Sequence, residues 1–197
     1  MRVQRLVLAT GMSVSILLLP AAPALAGTTT THPDSVTFHN LVISFADLVP
    51  CRDQLGGYLI AATLNSQIHS TANANGFWIT GTDTGPFSAV PIQVAVDSTG
   101  NPVRDPDSDN LIPILDASGN PVARAGETFT GHFTDWFGAS INPNESVITD
   151  VFNVRGTGST GTTFAAHDNS HLVTAGAGDP FDPSTPLKLS FDHATCS

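Results

Sequence analysis

Residues Glu145–Thr174 read ESVITDVFNVRGTGSTGTTFAAHDNSHLVT. Two runs in this stretch, Val147 to Arg155 and Thr162 to His167, are rich in β-branched and aromatic side chains, which fit a pleated, half-buried surface. Between them, Gly156-Thr157-Gly158-Ser159-Thr160-Gly161 supplies glycines for the positive backbone angles of a tight reversal. The reading is an antiparallel hairpin at the centre of a β-sheet, with His167 and His171 on its second arm.

The same two-residue period extends outward. In TFTGHFTDWF, Thr128 to Phe137, one face carries Phe129, Phe133 and Phe137; the other carries Thr128, Thr130, His132, Thr134 and Trp136. From Tyr58 to Thr71, one face reads Tyr58, Ile60, Ala62, Leu64, Ser66 and Ile68, with Asn65, Gln67 and His69 on the other. Such alternation marks strands with one buried side. Further strands are expected at Val36 to Phe45, Phe77 to Thr80, Phe87 to Val96 and Leu187 to Asp192. Asp97-Ser98-Thr99-Gly100-Asn101-Pro102-Val103 is echoed by Asp116-Ala117-Ser118-Gly119-Asn120-Pro121-Val122, each after an apolar run, so two similar strand–turn units are expected. About eight or nine short strands without a helix predict an all-β fold, a single antiparallel β-barrel or β-sandwich.

Residues 1–26 have the layout of a secretory signal peptide: Arg2 and Arg5, an apolar run from Leu6 to Leu19, and the small-x-small pattern Ala24-Leu25-Ala26. Residues 27–34 (GTTTTHPD) read as a flexible leader and residues 35–197 as a single β domain. Without Arg2 and Arg5, five basic residues face seventeen acidic ones, a formal charge of −12. Phosphate contact needs clustered Lys and Arg, so nucleic acid is excluded as a partner, and no later run is long and apolar enough for a membrane helix. An oxidising compartment predicts that Cys51 and Cys196, the only cysteines, form one disulfide joining the exit of the first strand to the chain terminus.

Two constellations could carry chemistry. Four histidines, His69, His132, His167 and His171, are candidate acid–base or metal residues if the polar faces of their strands converge on one cavity. On a continuous strand His167 and His171 face the same way but lie ~13 Å apart, whereas a turn at Asp168-Asn169-Ser170 would bring them together. Asp105, Asp107, Asp109 and Asp116 occupy positions one, three, five and twelve of an EF-hand-like calcium loop. It departs from that pattern by Asn110 at the glycine position, Asp116 in place of Glu, two internal prolines and no flanking helices.

The run VFNVRGTGSTGTTFAAHDNSH, the preceding TFTGHFTDWFG and the terminal cysteine resemble small secreted actinobacterial β-rich proteins without an assigned activity. The resemblance spans the last third to half of the mature chain and implies a secreted β domain; it transfers no catalytic residue. The expected function is a non-catalytic extracellular domain that binds a small ligand or a surface partner. The competing expectation is a β-barrel enzyme, hydrolase or cyclase/isomerase-like, using the clustered histidines.

Overall fold

Alternating side chains build seven strands in a computed structural model that describes residues 32–52, 56–175 and 187–197. They are β1 His32–Leu48, β2 Gly57–Asn73, β3 Gly76–Pro91, β4 Phe129–Ile141, β5 Glu145–Gly158, β6 Thr163–Ala175 and β7 Leu187–Cys196. Each pairs antiparallel with the next, so the order across the single sheet is the order in the chain.

The all-β, antiparallel expectation holds, but the finer expectation is corrected: seven strands form one sheet that is not closed. The runs Phe77 to Thr80 and Phe87 to Pro91 belong to one continuous strand, β3. It passes through Gly85 and Pro86 where the β2–β3 register is interrupted between Ala62 and Asn65, a place where a missing proline N–H is tolerated. The central strand is β4; the hairpin expected at the centre is β5–β6. β1 begins at His32, inside the stretch read as a leader. The signal segment and the Gly/Pro/Asp loop after Ala175 lie outside the described residues.

One sheet face is the core. Tyr58, Ile60, Ala62 and Leu64 of β2, Phe87 and Ala89 of β3, Phe129 and Phe133 of β4, Phe152 and Val154 of β5, and Phe164 of β6 form one buried cluster. Ile43 and Phe45 of β1 pack on it from the opposite edge. Strands this far apart in the sheet can share a cluster only if the sheet curls with this face inward. Phe129 links the sides, meeting Tyr58 at 5.7 Å and Phe164 at 5.6 Å between ring centroids, both edge-on.

Two glycines make room for these rings. A Cβ on Gly131 would lie 2.6 Å from Phe87 Cε1, and one on Gly156 would fall on the Phe164 ring. Gly156 and Gly158 are strand residues of β5, so the expected glycine turn is shorter: Gly158 N–H donates to Thr162 O at 2.7 Å, and Gly161, at φ 92°, takes the left-handed position.

At one end of the curl, Cys51 and Cys196 are bonded (S–S 2.13 Å, Cα–Cα 5.6 Å). Cys51 follows β1 and Cys196 ends β7, so the bridge ties the two edge strands together. The Arg52 guanidinium donates to Thr163 O at 2.7 Å, fastening the same segment to β6.

The connection from Ile92 to Thr128 folds back on the outer face of β1 and β2. Leu111 and Ile92 bury against Ala46, with Leu48, Leu59 and Val94 around them, and Leu111 N–H donates to Ala46 O at 2.8 Å. Arg104 Nη2 reaches Asp47 Oδ1 at 2.8 Å. The two repeat units form the same turn. Asp97 Oδ1 accepts from the N–H groups of Thr99 and Asn101 at 2.8 and 3.0 Å, and Asp116 Oδ1 accepts from those of Ser118 and Asn120 at the same distances. Gly100 and Gly119 hold φ 88° and 83°.

Candidate functional sites: an inward carboxylate row and an outward groove

Alternation along neighbouring strands in register places side chains in rows across the sheet. One inward row reads Phe38, Ser66, Asp83, Asp135, Phe152, Asp168, Ala194, one residue from each strand from β1 to β7. It lies one level from the aromatic core, since Leu64 and Phe133 are each two residues from a member. Asp83 is 1% exposed and Asp135 3%. Asp150, two residues before Phe152 on β5, faces Asp135 diagonally. Phe38, at the β1 edge, is 40% exposed, so the row opens to solvent there.

Among the described residues, no arginine or lysine compensates this row. Burial disfavours the charged form, and like charges close together disfavour a second ionisation. Burial pushes the Asp135 carboxyl up to about 9, reinforced by its hydrogen bond to Asp150 and by the negative charges of Asp150 and Asp83. A protonated Asp135 is the donor in that bond. Burial also raises Asp83; the Ser66 hydroxyl opposite offsets part of this without reaching hydrogen-bond geometry, and both Asp83 oxygens are buried without a hydrogen-bond partner.

The opposite face carries a different site. Outward positions of β4 to β7 line an open groove of about 460 Å³, with His132 and Thr134 from β4, Asn153 and Arg155 from β5, His167 from β6 and Thr195 from β7. Register explains the convergence: His132 is opposite Arg155, Asn153 opposite His167, and His167 opposite Thr195. His167 Nδ1 lies 2.7 Å from Asn153 Oδ1. An amide oxygen only accepts, so Nδ1 carries the proton and Nε2 keeps its lone pair. The other described arginines are engaged: Arg52 with Thr163 O, Arg104 with Asp47, and Arg124 over the Tyr58 ring at 5.7 Å. Among the described residues, Arg155 is the arginine whose guanidinium has no such partner.

No family model, curated protein or solved structure matches this chain.

The four candidate histidines separate into groups. His132 and His167 both line the groove. His171 does not: β6 runs unbroken through Asp168-Asn169-Ser170, so the expected turn is absent, and His171 Nδ1 lies 2.8 Å from Thr149 Oγ1. His69 is exposed on β2, opposite Thr80.

The calcium-loop spacing does not gather its carboxylates. Asp105 Oδ1 accepts from the N–H groups of Asp107 and Ser108 at 2.9 and 3.0 Å, Asp109 lies beside Arg104, and Asp116 closes its own turn. Backbone donors in these turns hold Asp105 and Asp116 below the usual carboxylate range. Among the described residues no three His, Cys, Asp or Glu side chains are set to hold a metal ion.

Sequence reasoning passed over Asp83, Asp135 and Asp150. The signal was present for two of them: Asp135 has the parity of Phe129, Phe133 and Phe137, and Asp150 that of Phe152 and Val154.

Proposed function

We propose that this protein is a secreted, non-catalytic binding domain that takes its ligand in the outward groove of β4 to β7. The observation that carries this reading is the groove itself. It brings together two imidazoles, an uncommitted guanidinium and several neutral polar groups on a rigid sheet. Its volume lies in the usual range of ligand sites, roughly 300–1,000 Å³. Acid–base catalysis at a histidine needs a partner that sets the imidazole's role, commonly a carboxylate. His167 meets the Asn153 amide, and among the described residues no Asp or Glu side chain lines the groove. A disulfide suits an oxidising compartment, which agrees with the signal-like N-terminus.

The test is an NMR screen of a polar fragment library against the labelled mature chain. Shift changes grouped on His132, Asn153, Arg155 and His167 support the groove. Hits that leave these residues unmoved, or turnover of ester or glycoside probes lost in both H132A and H167A, would favour another site or the enzyme reading.

A further inference from the structure

We propose that the groove recognises a hydroxylated monocarboxylate, of the sugar-acid class, through Arg155; this rests on the groove being the binding site. The argument begins with charge. Among the described residues, no Asp or Glu side chain lines the groove wall, where the charged side chain is Arg155. Its guanidinium is exposed and, among the described residues, is held in no ion pair, so it is open to a ligand. Guanidinium presents a planar fork of N–H donors that matches a carboxylate through two parallel hydrogen bonds.

The neighbours of Arg155 define the rest of the ligand. Asn153 and His167 are bonded through Oδ1 and Nδ1, so the Asn153 amide N–H groups remain as donors and His167 Nε2 as an acceptor. Thr134 and Thr195 add hydroxyls that both donate and accept. This mixed set suits several hydroxyl groups rather than a second anion. Ala165 supplies a small apolar surface against which the C–H face of a ring can rest. A single arginine matches one negative charge, and the strongly acidic chain disfavours a dianion.

The experiment is an NMR titration of the mature chain with sodium D-glucuronate, following the amides of His132, Asn153 and His167. Arms with D-glucose, sodium acetate and inorganic phosphate separate the hydroxyl and carboxylate contributions from plain anion binding. Glucuronate should saturate these shifts, with glucose and acetate each weaker by at least about tenfold, the range expected on losing a charge-assisted hydrogen bond or several neutral ones. Arg155 points outward and has no partner among the described residues, so R155Q should keep the wild-type melting temperature and lose about tenfold or more in affinity, while R155K should recover part of it. Wild-type affinity in R155Q, glucose binding as well as glucuronate, or phosphate or acetate binding as tightly, would overturn the assignment. If glucuronate fails while fragments still bind in the groove, the ligand class is wrong and the binding site stands; if fragments fail as well, the site itself is wrong.

Discussion

Replacing Asp135 by asparagine should stabilise the protein at neutral pH and do little at pH 4. Asp135 is buried beside Asp150 and Asp83, and its carboxyl titrates at about 9 against 3.8 for a free side chain. Between those values the folded chain holds a proton that the unfolded chain releases. Stability linked to Asp135 is therefore fully present below pH 3.8 and is lost as pH rises toward 9. Each pH unit in that window costs ~1.4 kcal/mol for one proton, so the ceiling between pH 4 and pH 7 is ~4 kcal/mol. An asparagine amide keeps the shape and a donor for Asp150 without the cost of holding a proton. Urea unfolding of wild type and D135N at pH 4, 5.5, 7 and 8.5 measures the difference directly. We expect it to be near zero at pH 4, to reach about 2–4 kcal/mol in favour of D135N at pH 7, and to be larger still at pH 8.5. Asp47 and Asp83, also raised, tilt both proteins the same way. Asp97, held at about 2 by its turn, and Asp105 and Asp116, lowered by theirs, contribute stability that is lost only as pH falls below the unfolded value. The effects of Asp47, Asp97, Asp105 and Asp116, none of which acts on Asp135, cancel in the comparison. A D135N variant less stable than wild type by the same amount at every pH would refute the buried proton on Asp135.

Two further outcomes test the scaffold. Opening the Cys51–Cys196 bridge, by reduction or in a C51A/C196A variant, should cost several kcal/mol: the bond spans 145 positions, for which the chain-entropy relation gives ~5 kcal/mol, read as a lower urea midpoint. G156A should destabilise by ~1–3 kcal/mol through overpacking against Phe164; a melting temperature equal to wild type would show that the ring is not seated there.

Much of the local structure was legible because alternation reports which face of a strand is buried. Phe129, Phe133 and Phe137 do face inward, as do Tyr58, Ile60, Ala62 and Leu64. The paired cysteines and the echoed DSTGNP and DASGNP turns followed from compartment and turn chemistry. The carboxylate row was harder to read because a charge on a strand is ordinarily assigned to water, and Asp135 and Asp150 instead follow the parity of their aromatic neighbours. Even with that parity in view, their meeting depends on strand order and register, which no single strand encodes. The groove had the same difficulty: His132 and His167 were each visible as outward residues, but Arg155 joins them only because β5 lies between β4 and β6. Gly156 looked like turn material because its role is to leave space for Phe164, and the sequence around it does not name that ring. The EF-hand-like spacing misled for a local reason: Asp105 and Asp116 each complete their own short turn, and the chain between them does not loop around a common centre.

The most direct test of the account is a crystal structure of residues 27–197 soaked with D-glucuronate. The account predicts the carboxylate on the Arg155 guanidinium, the ring between His132 and His167, and hydroxyls on Asn153 and Thr195. A ligand lodged inside the curled sheet beside Asp83 and Asp135, or a groove left empty at saturating glucuronate, would contradict it.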